Sequence, residues 1–65
     1  MTEGRLSTEA FVLRKKIDHL EKYMLTAEFT SLSYDDRHDL HEQHNLMISY
    51  HAVLQRRLNR LTTNA

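Results

Sequence analysis

The chain has 65 residues, no cysteine, no proline and a single glycine, and its nine basic and nine acidic residues cancel. That composition excludes disulfides, thiolate metal sites and cysteine nucleophiles. It leaves no apolar run long enough to span a bilayer and no net charge to steer the whole molecule toward nucleic acid. A small, soluble, all-α domain is expected, occupying residues 1–65 as one unit.

In chain order, Leu6, Ala10, Leu13, Ile17, Leu20 and Met24 recur at alternating steps of four and three. This is a heptad seam with Ala10, Ile17 and Met24 at a and Leu6, Leu13 and Leu20 at d. Ser7 or Thr8 as cap and Glu9 in the first turn predict a helix over about residues 7–27, with Gly4 outside it. A connector over 28–33 follows, where Phe29 and Leu32 are expected to plug the open end of a hairpin. Ser33 followed by Asp35 and Asp36 reads as a second helix start. The second helix is expected over about 34–62, ending in the stretch Thr62 to Ala65, and so short a connector favours an antiparallel neighbour.

The second helix carries two apolar rows. Leu40, Met47, Leu54 and Leu61 form one, interleaved with His44, His51 and Leu58. Leu46, Tyr50 and Val53 form the other, about 100° round the axis, and one partner helix cannot cover both. Two helices are also short of core for a chain of this size. A homo-oligomer is therefore expected, a four-helix bundle or higher, with Ile17, Leu20, His44, Met47, Tyr50, His51 and Leu54 at the seam.

Four of the five histidines crowd into residues 38–51. In the tetrad His41-Glu42-Gln43-His44 the histidines stand at i and i+3, one residue short of the zinc-protease spacing. His44 and His51 are about 10 Å apart along the axis, too far to share an ion. No metal site is expected. Polar residues at seam positions fix register instead, with Tyr23, Tyr50 or another subunit's histidine as hydrogen-bond partner and a pH-sensitive interface as the alternative. His38 and His41 are expected in solvent.

Charge separates by end. An antiparallel hairpin brings Arg5, Arg14, Lys15 and Lys16 to the same end as Arg56, Arg57 and Arg60, while Glu28, Asp35, Asp36, Asp39 and Glu42 gather at the turn. Helix dipoles account for the acids at the start of the second helix and the cations at its end. They do not account for Arg14, Lys15 and Lys16. An anion or partner site is expected on Arg14, Lys15, Lys16, Arg56, Arg57 and Arg60, with Arg14 level with Arg56 and Arg57. The serines lack an oriented base and no glycine-rich phosphate loop exists, so neither catalysis nor a cofactor is expected.

Lys22 to Met24, the Phe29 to Leu32 connector, and Gln43, Met47, Tyr50, Leu54 and Arg57 on the second helix resemble a small helical-hairpin protein type met repeatedly in tailed-phage genomes. Some of its members are related to a crAss-like phage protein. The resemblance runs from Leu20 to Leu58, mostly on packing positions. It implies a phage or prophage origin and action in the bacterial cytoplasm, and transfers no site residue. By analogy with small phage proteins, the chain is expected to counter host defence by masking a host protein or sequestering a nucleotide signal. A nucleic-acid-associated factor using the basic end, and a purely structural oligomerisation module, are the alternatives.

Overall fold

The computed structural model describes residues 2–63. Three helices follow one another: α1 (Thr2–Tyr23), the four-residue α2 (Ala27–Thr30) and α3 (Tyr34–Thr63). Among the described residues there is no strand. Two hydrogen bonds across the hairpin fix its direction: the Tyr50 hydroxyl donates to Glu9, and His44 Nε2 lies 2.7 Å from Glu21 Oε2. Later residues of α1 thus meet earlier residues of α3, which is the antiparallel arrangement the short connector demands.

α1 begins earlier and ends earlier than the 7–27 expected from the caps. Ser7 and Thr8 lie inside the helix, and so does Gly4. The seam itself explains why: Leu6 is buried with Ala10, Leu13 and Ile17, and it reaches that line only on helical backbone. At the other end the backbone tightens, with Leu25 N–H on the Lys22 carbonyl and Thr26 N–H on the Tyr23 carbonyl. Bonds of this i to i+3 kind close off a last turn. Thr26 completes the stop, since its hydroxyl donates to the Tyr23 carbonyl at 2.6 Å and accepts the Phe29 N–H at 3.3 Å. One side chain thereby ends α1 and caps α2, and the expected connector over 28–33 is partly helical.

The start of α3 agrees with the expectation. Ser33 Oγ accepts the Asp36 N–H at 3.1 Å, and Asp35 and Asp36 occupy the first turn. The helix runs through Thr62, and Asn64 and Ala65, part of the expected stop, lie outside the described residues. Phe29 is buried as the plug of the turn, edge-on to both Tyr23 and His41, while Leu32 beside it is half-buried.

The core is a thin line. Leu6, Ala10, Leu13 and Ile17 close on Leu54, with Met47 and Leu58 packed against them. The radius of gyration is 15.0 Å, whereas a compact globule of this length would have about 11 Å. The molecule is a rod of 50 × 15 × 15 Å. Ile17 and Leu54 have no exposed surface. Both belong to the seam within one hairpin, where they pack with Leu6, Ala10 and Leu13. No described helix is long and apolar enough to cross a membrane.

Candidate functional site

With α1 and α3 side by side, the hairpin has two flanks. On one, Ser7, Phe11 and Arg14 of α1 face His51, Gln55 and Leu58 of α3 across an open groove floored by Ala10. Serine hydroxyl, guanidinium, imidazole and amide are all hydrogen-bond donors, and none of the lining residues is acidic. Asp18, one turn further along the same side of α1, lies 3.0 Å from one terminal nitrogen of Arg14. That contact uses a fraction of the five N–H donors of a guanidinium. Phe11, 63% exposed, presents its ring at the rim with the Lys15 ammonium 5.4 Å from its centroid. Such a cation over an aromatic face is a favourable contact even in solvent.

The expected basic cluster is therefore divided. Arg14 shares its groove with His51 and Gln55, and Arg56 and Arg57 do not line it. At about 100° per residue, Arg56 and Lys15 project from the sides of α3 and α1 opposite the seam. Lys16 stands on the other flank, beside Glu9, Val12 and Tyr50, and Arg57 and Arg60 are turned toward that same flank. All six cations are exposed, but the rod spreads them over several faces.

That second flank is mainly apolar. Leu46, Tyr50 and Val53 are 64, 45 and 37% exposed, and Val12 of α1 is 44% exposed. Tyr50 divides two hollows, one bounded by Asp39, Gln43, Leu46 and Met47 and the other by Glu9, Val12, Leu13 and Lys16. Of the other residues assigned to the interface, Leu20, His44, Met47 and His51 are half-buried. His44 takes Glu21 as its partner, not the tyrosines or the second histidine expected. Glu21 faces it from α1 because the antiparallel register sets the residue beside the seam of one helix against a seam residue of the other.

The turn end holds a third feature that the charge sorting missed. Arg37, His38 and His41 line a hollow with Phe29 and Tyr34, and the Tyr34 and His38 rings are stacked 6.1 Å apart. Arg37 Nε is buried there with no hydrogen-bond partner. Five acids around it in sequence hid this cation; the signal available was its place three residues after Tyr34 and four before His41, which puts all three on one helix side. His38, Asp39 and Glu42 bring one ligand atom each within 4.8 Å of one another. All three are exposed, at a helix start where acids are favourable in their own right. The His41 and His44 pair is not part of that group.

No curated protein and no solved structure matches the chain. A family model described as Sequestin matches residues 2–60, a span that takes in the whole of α1, the capped connector and α3 as far as Arg60. With the match running the length of the hairpin and across both of its flanks, the chain belongs to the Sequestin family.

Proposed function

We propose that the protein is a phage or prophage accessory protein that works by binding alone, as a homo-oligomer, and counters host defence by sequestering an anionic nucleotide. The family name speaks for a sequestering role. The observation that carries the ligand class is the first groove: Ser7, Arg14, His51 and Gln55 supply donors, and Phe11 and Leu58 supply apolar surface. Phosphate oxygens accept from guanidinium and amide, and a base stacks on an aromatic ring or lies on apolar side chains. A single hairpin holds this groove open to solvent. Assembly of several copies would wall it in, and exclusion of water is what converts a few polar contacts into retention.

The test is retention without chemistry. Purified protein is incubated with a panel of linear and cyclic nucleotides, desalted and denatured, and the released small molecules are identified by mass spectrometry. The reading requires a nucleotide to be recovered unaltered and in fixed ratio to protein, and Arg14→Glu to abolish its retention. Loss of retention in Arg56→Glu instead, with the oligomer intact by light scattering, would move the site to the basic end. Recovery of a converted product, or of no nucleotide, would refute sequestration. In the latter case a host protein retained from lysate would point to masking, and strongly salt-dependent binding of DNA or RNA to a nucleic-acid-associated factor.

A further inference from the structure

The apolar row on the second flank continues at both ends into charge. Asp39, Gln43, Leu46, Tyr50, Val53 and Arg57 follow one another at alternating steps of four and three, so they form one row along α3. The next step of three reaches Arg60. The row is acidic at its start, where Glu42 stands beside Asp39, apolar in its middle and basic at its end. It extends for about 32 Å at 1.5 Å per residue, and its three apolar members are all exposed in the single hairpin.

We infer that a second copy of the chain docks on this row, the two α3 helices running antiparallel about a two-fold axis beside Tyr50. The inference rests on the homo-oligomer reading and adds the face, the direction and the register. A self-complementary surface of this kind is what a two-fold dimer requires, since each patch meets its own copy. Running antiparallel, Leu46 of one copy meets Val53 of the other and Tyr50 meets Tyr50. The same register sets Glu42 against Arg57 and Asp39 against Arg60, each pair occurring twice. A parallel arrangement would place Asp39 and Glu42 against their own copies and Arg57 against Arg57, which like-charge repulsion opposes.

Two further observations favour this occupant. The hairpin alone buries few side chains, with only Ile17 and Leu54 of the large ones fully enclosed among the described residues, and so small a core is marginal without additional burial. Tyr50 also stands between two hollows, its hydroxyl donating to Glu9 of the same hairpin, and an aromatic so placed is the kind of anchor that dominates an interface.

The chain lacks cysteine, so single introduced thiols report geometry directly. Leu46→Cys and Val53→Cys variants, mixed and oxidised, should cross-link to each other far more than either does to itself. Residues 46 of the two copies would be separated by about seven residues, or roughly 10 Å along the axis. Glu42→Arg and Arg57→Glu should each weaken association about tenfold or more, and the double exchange should recover most of it. Circular dichroism confirms that the exposed substitutions leave the helices intact. A monomer by light scattering at micromolar concentration would refute the homo-oligomer reading and this interface with it. An oligomer in which self-cross-links dominate, or in which the charge exchange changes nothing, would overturn this face and register alone.

Discussion

Leu54→Ala tests the seam most directly. Leu54 has no exposed surface and closes the line formed by Leu6, Ala10, Leu13 and Ile17. Truncation of a buried leucine to alanine costs about 2–5 kcal/mol, the larger values where neighbours cannot close the cavity. Here Leu58 lies one turn and Met47 two turns away along α3, both packed against the cluster, and methionine is adaptable enough to lean toward a gap. That argues for the lower half of the range, about 2–3.5 kcal/mol. For a domain of this length each kcal/mol corresponds to about 4–8 °C in Tm, so the variant should melt at least about 8 °C below the parent. The whole stability of such a chain is on the order of 3–10 kcal/mol, which makes partial unfolding at 37 °C a realistic result. Thermal denaturation followed by circular dichroism is the assay, with parent and variant at equal concentration because association shifts apparent stability. Leu25→Ala, at a side chain 87% exposed in the turn, is the control and should change stability by less than about 0.5 kcal/mol. Equal shifts for the two variants would mean that Leu54 is not in the seam and that the register derived from it is wrong.

Thr26→Ala removes the hydroxyl that ends α1 and caps α2, and should cost about 1–2 kcal/mol in the same melt; Thr26→Ser, which keeps both bonds, should recover most of it. Gly4→Ala should stabilise the chain by a few tenths to about 1 kcal/mol, because the position is helical and an added Cβ meets nothing within 4 Å. A loss of stability there would contradict the early start of α1. A double-mutant cycle on Glu21→Gln and His44→Gln should give a coupling of about 0.2–1 kcal/mol, since the pair is 2.7 Å apart but nearly half of Glu21 is in water. Zero coupling in chemical denaturation would break the antiparallel register that this contact helps define.

What the sequence discloses follows how local each cause is. The start of α3 was legible because Ser33, Asp35 and Asp36 act on the three or four backbone groups beside them. The start of α1 was misplaced because Ser7 and Thr8 resemble caps, although Leu6, already part of the heptad row, required helical backbone ahead of them. The end of α1 left no trace in periodicity. Met24 and Leu25 would continue an apolar helix, and the stop is a threonine hydroxyl folded back onto the Tyr23 carbonyl. The candidate site was half legible. Arg14 and His51 were each singled out, but their meeting across one groove, and the absence of Arg56 and Arg57 from it, depend on the register between helices. Arg37, buried at Nε among rings, was concealed by the acids around it.

The placement of the core line has a consequence for how the hairpin opens. Leu6, Ala10, Leu13, Ile17 and Leu54 are buried, whereas Leu20, Met24 and Leu40 nearer the turn are half-buried. The best-packed segment is thus the one joined by the longest intervening loop. Doubling the length of a loop costs only about 0.6 kcal/mol in closure entropy, and a single buried leucine returns about 1.5–3 kcal/mol. Distance along the chain is therefore a minor charge against the distal contacts, and at the turn Phe29 is the one buried apolar side chain among the described residues, too little to hold a partly zipped hairpin. Amide hydrogen exchange should show the deepest protection at the middle of α1 and around Leu54, with the turn exchanging sooner although it is the covalent hinge of the fold.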